Sequence, residues 1–209
     1  MPSTQSPVGS PFGYRSTAME VVDGVDLAGE RVVVTGGYSG IGTETVRALA
    51  GAGAQVIVGA RRTGQAEDVL RDVPGAIMVL PLDLGDPASI DAFAENVAER
   101  WDSIDILINN AAVMANPLMR DARGYEAQFA TNHLGHFQLT ARLWPLLKAA
   151  GGNGGGARVV ALSSAGVDGF HAAVAERNRR FADNFRGRYV VSSAAVEAIS
   201  QNSKPRVAT

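Results

Sequence analysis

The sequence predicts an α/β fold of three layers, in which helices cover both faces of a doubly wound parallel sheet. Short runs rich in β-branched residues alternate with longer stretches whose apolar residues recur at helical spacing. Most of the short runs are apolar throughout, as is typical of strands that are buried on both faces. Repeated strand–helix–strand units form right-handed crossovers, which makes the strands parallel.

Five strands and at least three helices account for the ordered part of this pattern. The strands are predicted at residues 31–35, 55–60, 76–80, 104–109 and 158–163. Helical spacing of apolar residues follows the first strand over 41–50 and the third over 90–101, and the longest helix is predicted over about 125–150. A glycine-rich connector at 151–156 leads into the fifth strand.

The two ends of the chain lack this alternation. Residues 1–18 are rich in proline and serine and are predicted to form a flexible N-terminal arm. The α/β domain is assigned to residues 19–166. Residues 167–209 form an atypical C-terminal tail that is rich in arginine and shows no further clear parallel strand, so we expect the C-terminal part of the fold to be missing.

Composition excludes several classes of protein. The 209 residues contain no cysteine, which rules out disulfides, thiolate metal ligands and cysteine nucleophiles. A net charge of −2 gives no basic surface for nucleic acid. No apolar run approaches the roughly 18 residues of a membrane span, and no signal peptide is evident, so a cytoplasmic location is expected. The three histidines show no metal-ligand spacing, and His133 and His136 are interpreted as packing or surface residues.

A glycine-rich turn joins the first strand to the first predicted helix. It reads T-G-G-Y-S-G-I-G from Thr35, with the spacing T-G-x-x-x-G-x-G. A helix N-terminus that follows a glycine turn offers backbone N–H groups and a helix dipole to a pyrophosphate. The predicted cofactor-binding residues of this turn are Gly36, Tyr38, Ser39, Gly40, Ile41 and Gly42.

The residues after the second strand bear on the choice of cofactor. An NAD site usually carries a carboxylate there, which accepts hydrogen bonds from the ribose hydroxyls. Here the strand ends in Arg61 and Arg62, with no acidic residue. A guanidinium binds a 2′-phosphate that a carboxylate would repel. The sequence therefore favours NADP over NAD, with Arg61 as the first candidate and Arg62 as the second.

The glycine turn and four further motifs resemble the short-chain dehydrogenase/reductase family. Asp83-Leu84 follows the third strand, and N-N-A-A, which contains Asn110 and Ala111, ends the fourth. T-N-H-L-G-H-F carries Asn132, and R-V-V-A-L-S-S-A carries Ser164. The resemblance covers about residues 27–166 and is strongest to the retinol-dehydrogenase and protochlorophyllide-reductase branch. It implies a Rossmann-type fold that binds its cofactor through Asp83, Leu84, Asn110 and Ala111 as well as through the turn.

The resemblance also implies an activity, which is hydride transfer between NADP(H) and a small carbonyl or alcohol substrate. Relatives use a Ser, an Asn, a Tyr and a Lys that comes four residues after the Tyr. The ammonium of the Lys lowers the pKa of the Tyr phenol, which is otherwise about 10. Ser164 and Asn132 match the first two positions. Tyr189 is the tyrosine that follows Ser164, and its +4 residue is Ser193, so no Tyr-x-x-x-Lys is present. The alternative is an NADP-binding chain without turnover, either an inactive remnant or a regulatory module.

Beyond about residue 166 the resemblance ends, which indicates a truncated or altered tail. The resemblance implies homodimerisation through the long helix and the helix that follows it. The second of these helices is not recognisable, so a dimer of the usual kind is not expected. Neither nucleic acid nor a membrane is expected as a partner.

Overall fold

The computed structural model describes residues 10–13, 15–114, 116–152 and 156–162 of the chain. Its strands and helices alternate along most of this range. In chain order they are α1 (Ala18–Val21), β1 (Arg31–Thr35), α2 (Ile41–Gly51), β2 (Gln55–Ala60), α3 (Thr63–Leu70), β3 (Ala76–Pro81), α4 (Pro87–Ala98), β4 (Ile106–Asn109), α5 (Ala127–Phe129), a π-helix (Ala130–Gly135), α6 (His136–Gly152) and β5 (Arg158–Ala161).

The five described strands form one parallel sheet in the order β3-β2-β1-β4-β5. The chain moves outward from β1 to β3 on one side and then crosses to β4 on the other. Ligands of open α/β sheets bind where the strand order reverses, outside the carboxyl ends of the strands. In this chain that position lies between the ends of β1 and β4. The predicted α/β fold with a doubly wound parallel sheet is confirmed.

Two apolar cores lie on opposite faces of the sheet, and β1 contributes to both. Val32 and Val34 face the core that contains Val46 of α2, whereas Val33 faces the core that contains Phe93 of α4. Each of these side chains is at most 1% exposed. Burial on both faces explains why β1 is apolar throughout. The three predicted layers are therefore present.

Strand boundaries agree with the prediction where the apolar run ends at a polar or glycine position. β1 and β2 have the predicted bounds, and β3 extends one residue further, to Pro81. β4 begins at Ile106, because the N–H of Ile104 donates to the carbonyl of Leu146 in α6, 3.1 Å away, instead of to a strand. In β5 the described strand ends at Ala161, and the predicted last residue, Ser163, lies outside the described residues.

The long predicted helix is present but is not regular. It begins as a short α-helix, continues as a π-helix over Ala130–Gly135 and becomes α6. Gly135 lies against the segment after β3, where an added Cβ would come within 2.3 Å of the carbonyl oxygen of Leu84. Glycine is therefore required at this point of close approach. π-Helical turns inside α-helices are frequent at functional sites.

The assigned ends of the domain extend beyond the described residues. In the N-terminal arm, Thr17 caps α1, and Thr17 and Glu20 hydrogen-bond reciprocally. Residues 1–9, Tyr14 and the whole 167–209 tail lie outside the described residues, so the domain boundaries stay predictions. Within the described ranges, no helix has both the length and the hydrophobicity that crossing a membrane takes.

A glycine on the surface of α3 gives a test of helix propensity. Gly64 is exposed, and an added Cβ there would meet no atom of the described residues within 4 Å. We expect Gly64→Ala to raise the free energy of unfolding by up to about 1 kcal/mol, because alanine loses less backbone entropy in a helix. Urea denaturation followed by circular dichroism measures this change. A lower unfolding midpoint in the variant would contradict the assignment of α3.

Candidate functional site

The glycine turn between β1 and α2 adopts conformations that only glycine takes readily. Gly36 has φ +65° and Gly40 has φ +52°. A Cβ on Gly36 would come within 3.0 Å of the Cα and Cβ of Ala111, which follows β4. The turn therefore packs directly on the end of β4, and the backbone approaches closely because no side chain intervenes.

Asn110 fastens the end of β4 to this turn. Its side-chain Nδ2 donates to the carbonyls of Thr35 and Gly36, at 2.9 and 3.2 Å. A Cβ on Gly42 would lie 2.7 Å from that Nδ2 and 2.4 Å from the oxygen of Gly36. Among the predicted cofactor residues, Asn110 and Gly42 thus hold the shape of the turn.

The N-terminus of α2 leaves backbone donors without acceptors. Gly40 is the N-cap residue and supplies no side-chain cap. Within the described chain, the N–H groups of Ser39, Gly40 and Ile41 donate to no carbonyl and no side chain. Ser39 and Gly40 are exposed, and the side chain of Ile41 is 67% exposed. Free N–H groups at the positive end of a helix dipole form a site for an anion.

The side chain of Tyr38 has a different position from its neighbours in the turn. It is half-buried and packs against the core beneath α2. Its contribution is therefore to anchor the turn, while Ser39, Gly40 and Ile41 face solvent.

Two arginines follow β2 at the same edge of the sheet. The last β1–β2 pair joins Thr35 to Gly59, so Arg61 and Arg62 come two and three residues beyond the level at which the turn begins. Both are exposed, and neither guanidinium forms a hydrogen bond or ion pair with another described residue. Two positive charges without a described partner, at the same edge of the sheet as the free backbone donors, suit a ligand with several phosphates.

Asp83 and Leu84 end the segment after β3 at this edge as well. The Oδ1 of Asp83 accepts a hydrogen bond from the N–H of Gly85 at 2.9 Å, which fixes the carboxylate in a local turn. Leu84 is buried and lies against Gly135 of the π-helix. The structure therefore brings the predicted residues of three strand ends together with those of the glycine turn.

Thr35 and His136 form a buried polar pair that the sequence interpretation missed. Thr35 is fully buried, and its Oγ1 accepts hydrogen bonds from the N–H groups of Asn110 and Ala111, both at 2.9 Å. The same Oγ1 lies 2.9 Å from Nε2 of His136, the first residue of α6. His136 is 7% exposed, so it is a packing residue as predicted, but one with a defined polar partner.

Asn132, predicted to be catalytic, lies in the π-helix. Its side chain is engaged with Val113: Oδ1 accepts from the Val113 N–H at 2.9 Å, and Nδ2 donates to the Val113 carbonyl at 2.8 Å. The amide thus holds the loop that leaves β4. The other two predicted catalytic residues, Ser164 and Tyr189, lie outside the described residues. Within the described part, no group of three His, Asp or Glu side chains is arranged to hold a metal ion.

The fold and this site define the chain as an α/β protein of the dinucleotide-binding type. The profile described as short chain dehydrogenase matches residues 30–175. The chain therefore belongs to the short chain dehydrogenase family, and the resemblance predicted from its motifs is confirmed.

Named relatives agree with this assignment. The chain is 46% identical over 147 residues to a Streptomyces antibioticus protein named "Probable oxidoreductase", covering 67% of this chain and 47% of that protein. It is 43% identical over 145 residues to retinol dehydrogenase 12 of Bos taurus, covering 67% and 45%. The latter lies in the branch that the motifs predict. The chain spans about half the length of the curated relatives it matches.

A solved structure shares the fold over much of the described chain. A metagenomic short-chain oxidoreductase in complex with NADP superposes with a TM-score of 0.58 at 27% identity, covering 74% of this chain and 77% of that one. The doubly wound parallel sheet is thus the fold of known family members.

Proposed function

We propose that this chain binds NADP(H) at the carboxyl edge of β1, β2 and β4 and belongs to an enzyme that reduces a carbonyl or oxidises an alcohol. The observation that carries the proposal is that, among the described residues, the N–H groups at the start of α2 and the two arginines after β2 have no partner and lie at the same edge of the sheet. Family membership and the NADP complex of a family member support it.

The residues present fit the phosphates of such a cofactor. The N–H groups of Ser39, Gly40 and Ile41 would donate to the pyrophosphate, aided by the dipole of α2. A Cβ on Gly40 would meet no atom of the described residues within 4 Å, so those residues leave the space beside the turn open. Arg61 would bind the 2′-phosphate, with Arg62 in support, since guanidinium–phosphate pairs form two charge-assisted hydrogen bonds.

The cofactor supplies a hydride donor or acceptor, and the protein supplies position and a proton. Ser164 would hydrogen-bond the substrate oxygen, and Tyr189 would give or take the proton there. Asn132 would act by holding the loop at Val113, whose backbone it bonds twice. Asp83 would lie at the adenine end, in keeping with its place after β3. A cytoplasmic location accompanies this proposed function, and a homodimer of the family's usual kind is not expected.

Separate measurements of binding and turnover test the proposal. We expect the full chain to bind NADPH by calorimetry and to oxidise it in the presence of a panel of aldehydes and ketones. Turnover that is lost in Ser164→Ala and Tyr189→Phe, with binding retained, would assign the catalytic residues. Saturable binding with no turnover would favour the inactive or regulatory alternative, and absence of binding in a folded chain would contradict both.

A further inference from the structure

We infer that His136 is a positioning residue, which holds the glycine turn, the end of β4 and Asn132 in place only as the neutral tautomer that carries its proton on Nδ1. Only one test of this role, the measurement of NADPH affinity, rests on the proposed function. The tautomer follows from hydrogen bonds around Thr35 and stands independently of any ligand.

The hydroxyl of Thr35 determines the state of Nε2. A hydroxyl offers one donor and two acceptor lone pairs. Both lone pairs of Thr35 are used, because Oγ1 accepts from the N–H groups of Asn110 and Ala111. The hydroxyl proton is left for the third partner, so Thr35 donates to Nε2 of His136 at 2.9 Å. Nε2 must therefore be unprotonated.

The other ring nitrogen completes the assignment. Nδ1 of His136 lies 3.0 Å from the carbonyl oxygen of Asn132, which can only accept. Nδ1 therefore carries the proton and donates to that carbonyl. A protonated imidazole would direct a second N–H at Thr35, whose oxygen has no lone pair left. The network is satisfied in one protonation state and is broken in the charged one.

The pair links parts of the site that are distant in sequence. Thr35 precedes the glycine turn and bonds the backbone of Asn110, whose side chain in turn holds the turn at Gly36. His136 connects this cluster to Asn132, whose side chain holds Val113. One imidazole thus couples the glycine turn to the π-helix that carries Asn132, the candidate catalytic asparagine.

The surroundings of His136 favour the neutral ring. Burial lowers its pKa below the ordinary value, and this outweighs the hydrogen bond to Asn132, which acts in the opposite direction. His133, on the π-helix that precedes α6, lowers the pKa of His136 further by charge repulsion. Thr35 on β1 and Asn132 on the π-helix, which hydrogen-bond the ring, carry no charge, and neither does Asn110, which follows β4 and bonds Thr35. No carboxylate among the described residues is paired with the ring.

Nitrogen-15 NMR of the imidazoles tests the tautomer directly. The chain has three histidines, and comparison with His136→Phe assigns the signal. We expect a neutral ring at pH 7 with the proton on Nδ1, the minor tautomer of free histidine, and a pKa below the ordinary value for histidine. A ring protonated on Nε2, or one that is charged at pH 7, would overturn the inference.

Matched variants test the positioning role. We expect His136→Phe, which removes both hydrogen bonds, and Thr35→Val, which removes the hydroxyl, each to weaken NADPH binding about tenfold. Thr35→Ser, which keeps the hydroxyl, should restore most of the affinity. His133→Gln changes an exposed histidine of the π-helix that precedes α6 and should leave affinity unchanged. Equal losses in His133→Gln and His136→Phe would overturn the role.

The pH dependence of stability gives a readout that needs no cofactor. In the unfolded chain His136 binds a proton near its ordinary pKa of 6.5, whereas the folded pKa is lower. The unfolded state therefore binds more protons below about pH 6.5, and stability falls as pH decreases toward the folded pKa. We expect His136→Phe to reduce this fall in urea denaturation between pH 7 and pH 5. If the free energy of unfolding depends on pH equally in the wild type and in His136→Phe, the inference is overturned. If the wild type shows the pH dependence and the variant loses it, but the wild type binds no NADPH, only the proposed function is contradicted.

Discussion

Gly42→Ala is expected to abolish measurable cofactor binding and to lower the free energy of unfolding by about 1–3 kcal/mol. The added Cβ would lie 2.4 Å from the carbonyl oxygen of Gly36 and 2.7 Å from Nδ2 of Asn110. The first is backbone, and the second is held by two hydrogen bonds. Neither can yield without moving the glycine turn, so the N–H groups that we propose to bind the phosphates would be displaced. Calorimetric titration with NADPH and urea denaturation measure the two effects.

Two other glycine variants separate the causes. Gly64→Ala makes the same chemical change where a Cβ has open space, and it should leave NADPH affinity unchanged. The Cβ of Gly40→Ala also meets no atom of the described residues within 4 Å, but it places a side chain at φ +52°. The loss of NADPH affinity in Gly40→Ala therefore measures backbone strain in the absence of steric overlap. Wild-type affinity in Gly42→Ala would contradict the account of the turn.

Removal of the arginines after β2 is expected to affect the two cofactors differently. We expect Arg61→Ala to weaken NADPH binding roughly 10- to 100-fold, because hydrogen bonds to charged groups contribute about 1.5–3 kcal/mol. Arg62→Ala should have a smaller effect in the same direction. NADH lacks the 2′-phosphate, so its affinity should be nearly unchanged. Parallel titrations with NADPH and NADH give the ratio of the two dissociation constants for each variant.

Arg71 provides the matched control for this charge change. It lies at the end of α3, is exposed and forms an ion pair with Asp68. Arg71→Ala also removes one positive charge from the domain, but outside the candidate site. The ratio of the NADPH and NADH dissociation constants should therefore stay constant. An equal loss of NADPH and NADH binding in Arg61→Ala would show that the arginine does not recognise the 2′-phosphate.

The sequence predicts well those features that depend on local patterns. The apolar run 31–35 and the run 55–60 give β1 and β2 with their observed bounds, because both strands are buried and end at the level of the glycine turn. The glycine turn is found between β1 and α2 as its spacing predicts. The candidate residues of the turn and of the ends of β2, β3 and β4 come to one edge, since parallel strands place their carboxyl ends together.

Features that depend on tertiary contact could not be predicted from the sequence. β4 begins two residues late, because Ile104 bonds to α6. The sequence of the π-helix has ordinary helical spacing and does not indicate the irregular turn. Its close approach to Leu84, which occurs at Gly135, is seen only in the structure. The role of His136 depends on Thr35, which is 101 residues away in sequence. A polar residue at a core position of a helix is the one signal that could have pointed to such a partner.

An NMR titration of the isotope-labelled full chain with NADPH tests most directly whether the glycine turn binds the phosphates of the cofactor. If the glycine turn binds the phosphates, the resonances of Ser39, Gly40 and Ile41 and the side-chain Nε of Arg61 should shift together and saturate at one dissociation constant. Thr35 and Asn110, which support the turn, should show smaller shifts. A folded chain in which these resonances do not move at saturating NADPH, or in which shifts occur only elsewhere, would contradict the account.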